Sequence, residues 1–351
     1  MGTRSVLVTG CSSGIGLAVA AKLAKDELRR FKEQIIEITT ATDSQCVHCL
    51  SEAVVATMRD LRKRGPLEKA AGDSLNKTLE IKELDACCEA SIRECVNSLP
   101  DRRVDVLVNN AGVGMVGPLE CQSIAAMKEL FDTNFFGLAR LVKELLPDMK
   151  RRQSGHIVVM SSVLGIQGLL FNDVYAASKF AVEGFCESLA MQAMKFNIKT
   201  TLVEPGPVVT EFERKVYEDI EKMDLSGTDE ETAKILREVY LPFSKNIFAS
   251  LGQTPEEVAE ASDDDYVFVC LFDNCVTKII GLQTVKVITA KEPPLRHQTN
   301  RLYRPITALK HADSTGQLSL DTFYKMTFKY DYALNASLGL LRMLQRRRGK
   351  E

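Results

Sequence analysis

Residues 6–16 read VLVTGCSSGIG, an apolar β-type run that passes directly into a turn containing Gly10, Gly14 and Gly16. The next residues, LAVAAKLAKDELRRF (17–31), repeat apolar positions at helical spacing. A strand that enters a helix through such a turn lets the backbone approach a pyrophosphate at the helix N-terminus. The stretch therefore predicts a dinucleotide-binding turn, and a plain strand-to-helix turn is the alternative that this pattern leaves open.

Four more apolar runs have the length of strands, and helical patterns separate most of them. They are TLEIKELDA (78–86), VDVLVNNAG (104–112), HIVVMSSV (156–163) and KTTLVEPG (199–206). Strands that alternate with helices predict an α/β fold, a Rossmann-like doubly wound parallel sheet with helices on both faces. Ligands of such sheets bind beyond the carboxyl ends of the strands, where Asp85, Asn110, Ser162, Pro205 and Gly206 fall.

The composition indicates a globular protein with a small-molecule partner. Apolar residues make up 45% and charged residues 26% of the chain, and its net charge is -2. A nucleic-acid-binding domain normally has a basic excess, so the charge argues against that partner. No stretch approaches the roughly 18 apolar residues of a membrane span, and no secretory signal precedes the first strand. We therefore expect a cytoplasmic protein whose 10 cysteines are reduced.

The length does not require two domains, because an α/β domain of roughly 250 to 300 residues is ordinary. We predict one domain over residues 1–310 and a C-terminal extension over 311–351. The end of that extension, NASLGLLRMLQRRRGKE (335–351), places leucines at helical spacing before a basic cluster. Such a segment can lie on an anionic membrane surface, which predicts peripheral membrane contact. A solvated helix end is the alternative.

A tyrosine and a lysine stand four positions apart in VYAASK (174–179). Residues i and i+4 are neighbours on a helix surface, so Tyr175 and Lys179 can face the same way. By itself this spacing is more typical of a buried tyrosine beside a solvated lysine. Whether this spacing marks a functional pair depends on the other motifs of the chain.

Five motifs, taken together and in order, resemble those of the short-chain dehydrogenase/reductase family. They are TGCSSGIG (9–16), NNAG (109–112), Ser162, Tyr175 with Lys179, and the Pro205-Gly206 turn. The resemblance implies an oxidoreductase that binds a nicotinamide dinucleotide, and a homodimer formed through the helix of Tyr175. The cofactor-binding residues it implies are Gly10, Ser12, Ser13, Gly14, Ile15, Gly16, Arg59, Asp85, Asn110, Tyr175, Lys179, Pro205 and Gly206.

The resemblance also assigns four catalytic residues. In the family the tyrosine, here Tyr175, is the general acid/base, and the lysine, here Lys179, lowers its pKa and bonds the nicotinamide ribose. A cation is useful there because an unperturbed phenol, with a pKa of about 10, transfers protons poorly at neutral pH. Ser162 matches the serine that hydrogen-bonds the substrate oxygen, and Ser161 is the weaker candidate. Asn134 matches the asparagine of a proton relay through water, with an asparagine bonded to backbone as the alternative.

The choice of dinucleotide depends on the end of the second strand, AVVATMRD (53–60). An acidic residue there bonds the ribose hydroxyls of NAD, and an arginine accommodates the 2′-phosphate of NADP. Arg59 and Asp60 therefore favour opposite cofactors. We expect NADP(H), because Arg59 stands where NADP-preferring relatives carry arginine and Ser12 can share the phosphate.

Within the family the chain resembles a branch of retinoid and hydroxysteroid dehydrogenases. Steroid-reducing members place a histidine in the lid after the sixth strand and a glutamate near the end of the sheet. Here the predicted lid, residues 207–250, contains no histidine, and Asn300 stands at the glutamate position. A site without these polar anchors favours an apolar substrate with one reactive oxygen. The resemblance thus implies NADPH-dependent reduction of all-trans-retinal to all-trans-retinol. The alternatives are a hydroxysteroid dehydrogenase and a non-catalytic dinucleotide-binding protein.

Two segments, about 32–52 and 261–284, depart from the resemblance, and we expect them to be inserts. The first contains IIEITT, which competes for the position of the second strand and would introduce Asp43 as an acid that favours NAD. It also contains a Cys-x-x-Cys pair. No metal site is predicted from that pair, because a second pair at ligand spacing is missing from the sequence.

Overall fold

The computed structural model describes residues 4–26, 54–255, 284–330 and 337–338. Its centre is a seven-stranded parallel sheet in the order β3-β2-β1-β4-β5-β6-β7. The strands are β1 Val6–Val8, β2 Val54–Met58, β3 Leu79–Glu83, β4 Val106–Asn109, β5 Gly155–Met160, β6 Ile198–Glu204 and β7 Arg296–Gln298. The predicted doubly wound parallel sheet is confirmed.

The first six strands coincide with apolar runs of the sequence, because strands covered on both faces are apolar at nearly every position. β1, β2 and β4 are buried at every residue. β2 lies directly beside β1, with Val54 opposite Val6, so AVVATMRD supplies the second strand as predicted. The competing segment IIEITT and Asp43 lie outside the described residues.

β7 is a strand that no sequence pattern indicated. Its three residues are polar and half-buried, and Arg296 pairs with Leu202 of β6 at the edge of the sheet. The position beside β6 makes this segment extended, since a strand depends more on its neighbours than on its own residues.

Helices cover both faces of the sheet. Those in the described part of the chain are α1 (residues 14–26), α2 Gly65–Ala71, α3 Glu89–Asn97, α4 Ile124–Phe131, α5 Gly137–Arg152, α6 Asp173–Met194, α7 Glu211–Glu221, α8 Glu230–Lys234, α9 Leu241–Leu251, α10 Thr284–Thr289, α11 Arg304–Ala312 and α12 Gln317–Phe328. π-helical turns, Asp132–Phe136 and Ile235–Tyr240, join α4 to α5 and α8 to α9. Ser123, Thr210 and Asp229 cap α4, α7 and α8 by accepting backbone N–H groups, which explains where these helices begin.

The two faces of the sheet carry separate apolar cores. Val6 and Val8 of β1 belong to the core beneath α1, α2 and α10, whereas Leu7 belongs to the core beneath α3, α5 and α6. This alternation is the period of two expected of a strand. Each large apolar side chain removed from water contributes about 1.5–3 kcal/mol, so the two cores hold the carboxyl ends of the strands in a fixed row.

A third apolar cluster lies beyond the end of β6. Helices α7, α8 and α9 occupy the residues predicted as a lid, and this segment packs around Phe171, Ile220 and Leu236. The lid therefore has an apolar interior of its own.

The structure describes only part of the predicted inserts and of the predicted C-terminal extension. The insert at 32–52 lies outside the described residues, as does all of 261–284 except Thr284. The boundary predicted after residue 310 falls inside α11, so a domain followed by an extension stays a prediction. Within the described ranges, no helix combines the length and the apolar character needed to cross a membrane.

Candidate active site

The glycine turn after β1 is locked to the end of β4. The Thr9 hydroxyl accepts the backbone N–H groups of Asn110 and Ala111 at 3.0 and 3.1 Å, and the Asn110 amide donates to the carbonyls of Thr9 and Gly10 at 2.9 and 3.2 Å. A Cβ added at Gly16 would lie 2.5 Å from the Gly10 carbonyl oxygen. The turn thus keeps a cradle of bare backbone, and the Asn110 side chain supports it.

The other residues of the turn that are predicted to bind the cofactor are accessible to solvent. Ser12, Ser13, Gly14 and Ile15 are partly exposed at the start of α1. Gly14 has a φ of +61°, and a Cβ there would lie 3.4 Å from Thr210, the residue that caps α7. The glycine turn and the lid therefore meet.

Cys11, within the same turn, is a structural residue. Its backbone N–H donates to the Thr57 carbonyl at 2.9 Å and its thiol to the Val8 carbonyl at 3.2 Å. Burial raises the pKa of the thiol to about 12, so it stays protonated at neutral pH.

At the end of β2, Asp60 is bonded to a neighbouring residue, whereas Arg59 is exposed. The Asp60 carboxylate accepts the backbone N–H of Arg62 at 3.0 Å and forms an ion pair with its guanidinium at 2.9 Å. Arg59 is exposed and has no ion pair or side-chain hydrogen bond within the described part of the chain. A cavity of about 980 Å³ opens beside Arg59 and is also lined by Cys87 and Thr133. The arginine is therefore the residue available to an anionic ligand here.

Asp85 follows β3 at the same end of the sheet. It is half-buried, and one carboxylate oxygen accepts the backbone N–H of Cys87 at 2.9 Å. β3 and β2 lie on one side of the glycine turn, whereas β4, β5 and β6 lie on the other. The strand order therefore places Asp85 and Arg59 at one end of the row of predicted site residues, and Tyr175 towards the other.

The predicted catalytic pair, Tyr175 and Lys179, lies on α6. Lys179 is 6% exposed, and its Nζ donates to the Met160 carbonyl at 2.9 Å and lies 5.8 Å from the centre of the Tyr175 ring. The Ser162 hydroxyl accepts the backbone N–H of Leu164 at 3.1 Å and lies close enough to Tyr175 to lower the pKa of its phenol. The structure thus brings Tyr175, Lys179 and Ser162 together.

The pKa of Tyr175 is raised in this structure, and the lowering of that pKa by Lys179 stays a prediction. Burial raises the pKa of Tyr175 to about 12, and Ser162 offsets only part of that rise. Burial also lowers the pKa of Lys179 to about 8, although the charge of Glu183 opposes this. Removal from water penalises the charged form of each group. Tyr175 is therefore a neutral phenol at neutral pH.

Ser161 and Ser162 are distinguished by their partners. The Ser161 hydroxyl donates to the Glu183 carboxylate and is 4% exposed, so it is committed inside the protein. Val163, next to Ser162, donates its backbone N–H to the Pro205 carbonyl at 3.0 Å. The Pro205 turn therefore holds the Ser162 loop in place, which supports Ser162 as the residue that faces substrate.

Gly206 follows Pro205 in the same turn. A Cβ there would lie 3.2 Å from the Tyr303 ring. The Pro205-Gly206 turn is thus packed tightly beside the start of α11.

Asn134 holds the loop that follows NNAG. It lies in the π-helical turn between α4 and α5 and is 2% exposed. Its side-chain oxygen accepts the backbone N–H of Val113 at 2.8 Å, and its amide donates to the Val113 carbonyl at 2.9 Å and to Ser178 at 3.1 Å. The side chain is thus bonded to backbone, and the proton relay stays a prediction.

The lid places an aromatic ring beside the tyrosine. The centre of the Phe212 ring on α7 lies 6.0 Å from that of Tyr175. A Cβ added at Gly114 would lie 2.7 Å from both Phe212 and Val216, so the lid packs closely against the loop after NNAG. Phe212 was not predicted from the sequence, because nothing in its neighbourhood marks which lid residue turns towards the site.

Asn300, at the position of the predicted polar anchor, is bonded to backbone. Its amide donates to the Leu251 carbonyl at 2.9 Å, and its side-chain oxygen accepts the N–H of Leu302 at 3.1 Å. The residue is 5% exposed. It joins the end of α9 to the start of α11 rather than presenting a free polar group to a substrate.

Comparisons with known proteins agree with this geometry. The family model described as short chain dehydrogenase matches residues 80–221. Retinol dehydrogenase 8 of Bos taurus is 48% identical over 338 residues, which cover 96% of this chain and 95% of that protein. The 17-beta-hydroxysteroid dehydrogenase type 1 of Homo sapiens is 37% identical over 330 residues, covering 93% and 87%. The closed form of serine dehydrogenase complexed with NADP+ superimposes with a TM-score of 0.57 at 26% identity, covering 84% of this chain and 94% of that one.

A Rossmann-like sheet whose strand ends carry a bare glycine turn and a tyrosine–lysine pair defines a class of dinucleotide-dependent oxidoreductases. At 48% identity over nearly its whole length to a member, the chain belongs to the short-chain dehydrogenase family. It is an oxidoreductase.

Proposed function

We propose that the protein reduces all-trans-retinal to all-trans-retinol with NADPH and catalyses the reverse reaction with NADP. The observation that carries the choice of substrate is Asn300, whose side chain is committed to the backbone of Leu251 and Leu302. With Phe212 beside Tyr175 and no histidine in the lid, the site offers an apolar wall and few polar anchors. Such a site suits a long apolar molecule with one carbonyl. The similarity to retinol dehydrogenase 8 supports the same choice.

The cofactor is NADP(H). The glycine turn is a cradle that any side chain at Gly16 would fill, which fits the pyrophosphate of a dinucleotide. Arg59, which has no ion pair among the described residues, can hold a 2′-phosphate, and Ser12 is partly exposed in the turn, whereas Asp60 is engaged by Arg62. When bound, the reduced nicotinamide supplies the hydride.

The residues of the chain supply the proton and hold the oxygen. Ser162 hydrogen-bonds the carbonyl oxygen as negative charge develops there. Tyr175, with a pKa of about 12, is protonated at neutral pH and donates its proton to that oxygen. The Lys179 ammonium then stabilises the phenolate that remains. In the alcohol-oxidising direction the phenolate accepts the proton instead.

The proposal is tested by NADPH-dependent turnover of all-trans-retinal and estrone in parallel, with products identified by chromatography. We expect faster reduction of retinal. Estrone preference would overturn the retinoid substrate and support a hydroxysteroid dehydrogenase. Binding of NADPH without turnover of either compound would instead support a non-catalytic dinucleotide-binding protein.

Peripheral membrane contact is a second part of the proposal. The predicted membrane segment, 335–351, lies outside the described residues except for 337–338. The neighbouring helix α12 exposes Leu320 and Tyr324 at 63% and 54%. An exposed apolar face suits a protein that takes a lipid-soluble substrate from a membrane. Removal of 335–351 should weaken association with anionic liposomes, and equal association would contradict the proposed contact. The homodimer through α6 stays a prediction.

A further inference from the structure

Glu183 stands one turn after Lys179 on α6 and is 3% exposed. One of its carboxylate oxygens accepts a hydrogen bond from the Ser161 hydroxyl, and the other accepts one from the Arg296 guanidinium. The same guanidinium nitrogen donates to Glu204 at 2.8 Å. These bonds connect the helix of the catalytic pair to the end of β5, to β6 and to β7.

The loop that carries Ser162 is shaped around this carboxylate. A Cβ added at Gly165 would lie 2.7 Å from the Ser161 hydroxyl oxygen and 2.9 Å from Cγ of Glu183. A larger residue at Gly165 would therefore displace one of these two groups. Glu183 thus contacts the loop that carries Ser162 and also belongs to α6, the helix that carries Tyr175.

Lys179 is a cation that has been removed from water. Met160 accepts its hydrogen bond, and the titratable groups that face it are Tyr175 and Glu183. The charged and titratable groups around Glu183 are Arg296 from β7, Glu204 from β6, and Cys186 and Glu187 from α6. Burial raises the pKa of Glu183 to about 7, so its carboxylate is charged over the alkaline range in which Lys179 loses its proton. The charge of Glu183 raises the pKa of Lys179 against the effect of burial.

Stability alone gives a weak reason for such a cluster, because apolar packing is often as stabilising as a buried ion pair. We propose that Glu183 is a positioning residue of the catalytic site, which keeps Lys179 protonated and holds α6 against the loop of Ser162. Arg296 and Ser161 in turn hold Glu183 in place. The expected effect of Glu183 on turnover rests on the proposed reductase activity, whereas its expected effect on NADPH binding does not.

The test compares Glu183→Gln with the wild-type full chain between pH 6 and pH 10. The NADPH dissociation constant is measured by fluorescence, together with kcat and KM for carbonyl reduction. Glu183→Gln keeps the shape of the side chain but removes its charge. At high pH, where Lys179 loses its proton, NADPH affinity and kcat should both decline. We expect this alkaline decline to begin about one pH unit lower in Glu183→Gln, so that above it each quantity is up to about tenfold lower than in the wild type. We expect kcat to fall while KM for the carbonyl is unchanged.

Glu187→Gln is the matched control. Glu187 pairs with the same Arg296 at 2.6 Å, but it is exposed and does not bond Ser161. Its removal should leave the alkaline decline where it is. Superimposable profiles for Glu183→Gln and the wild type would overturn the proposal. An equal shift in Glu187→Gln would also overturn it, because the effect would then be one of general surface charge.

Ser161→Ala serves if Glu183→Gln does not fold. It keeps the carboxylate and removes one of the two bonds that hold it, so a smaller shift in the same direction is expected, and no shift would contradict the proposal. The NADPH-binding profile separates this inference from the substrate assignment. If the wild type does not reduce retinal but the alkaline decline in NADPH affinity still shifts in Glu183→Gln, the substrate assignment fails and the role of Glu183 stands.

Discussion

Lys179 Nζ lies 5.8 Å from the centre of the Tyr175 ring and donates its hydrogen bond to the Met160 carbonyl, not to the phenol. The lysine is therefore near enough to stabilise a phenolate after proton transfer, but it does not keep the tyrosine ionised beforehand. Burial raises the pKa of Tyr175 to about 12, so the phenol is protonated at neutral pH. Carbonyl reduction begins from this protonated form, and the nearby positive charge of Lys179 favours the phenolate that proton transfer leaves behind.

Tyr175→Phe should abolish reduction while NADPH binding is retained. The phenylalanine keeps the ring beside Phe212 but has no proton to donate, so we expect kcat to fall by about 10²–10⁴-fold. Steady-state turnover and NADPH fluorescence measure the two effects. Tyr324→Phe, an exposed tyrosine on α12, is the control and should keep full activity. Undiminished turnover of Tyr175→Phe would refute its role as the general acid.

Gly16→Ala should prevent the glycine turn from closing. Its Cβ would meet the Gly10 carbonyl oxygen at 2.5 Å, and overpacking of this kind costs about 1–3 kcal/mol. We expect a lower free energy of unfolding and weaker NADPH binding, measured by urea titration and fluorescence. Gly184→Ala on α6 is the matched control, because nothing lies within 4 Å of its added Cβ. That helical substitution should stabilise by about 0.5–1 kcal/mol. Equal stabilities of the two variants would contradict the close contact at Gly16.

Arg59→Ala should weaken NADPH binding and spare NADH binding. Loss of a charge-assisted hydrogen bond, worth about 1.5–3 kcal/mol, corresponds to a rise of roughly 10- to 100-fold in the NADPH dissociation constant. Isothermal titration with both dinucleotides measures the difference. Arg64→Ala, whose guanidinium is exposed and paired with Glu68 at 3.0 Å, should change neither affinity. A parallel loss for NADH would show that Arg59 does not discriminate the 2′-phosphate.

The stability of the fold should decrease in acid because of His156. Burial lowers the pKa of this histidine to about 3, whereas the unfolded chain binds the proton near its ordinary value of about 6.5. Between these values the unfolded state carries more protons, so stability is fully present above pH 6.5 and is lost as the pH falls below it. At pH 5 the loss should be about 2 kcal/mol from His156 alone.

Urea unfolding at pH 7.5, 6 and 5 measures this dependence. His156→Gln should flatten it, and His311→Gln, at an exposed position on α11, should leave it unchanged. His297 contributes in the same direction, since burial lowers its pKa to about 4. An equally steep decline in His156→Gln would assign the acid sensitivity to other groups.

Local patterns were sufficient for much of the fold. The first six strands, the glycine turn and the helix of Tyr175 were predicted because an apolar run or a fixed spacing marks each of them in a few consecutive residues. β7 was missed because its polar residues are extended only by their position beside β6. Phe212 and Glu183 were missed for a similar reason, since nothing close in sequence tells which side chain turns towards Tyr175 or Lys179.

By itself, the sequence determined the parallel doubly wound sheet, because apolar runs and spacing mark its strands and helices, and its motifs determined the family. The roles of Tyr175, Lys179 and Ser162 are implied by the resemblance to that family and stay predictions. Only the tertiary structure decided that Asp60 is paired with Arg62 while Arg59 has no ion pair among the residues that the structure describes, and that burial raises the pKa of Tyr175. It also joined Glu183 to Arg296, which stands 113 residues further along the chain. Such properties depend on how much water and which charges surround a group, and the folded chain sets these through contacts between distant residues.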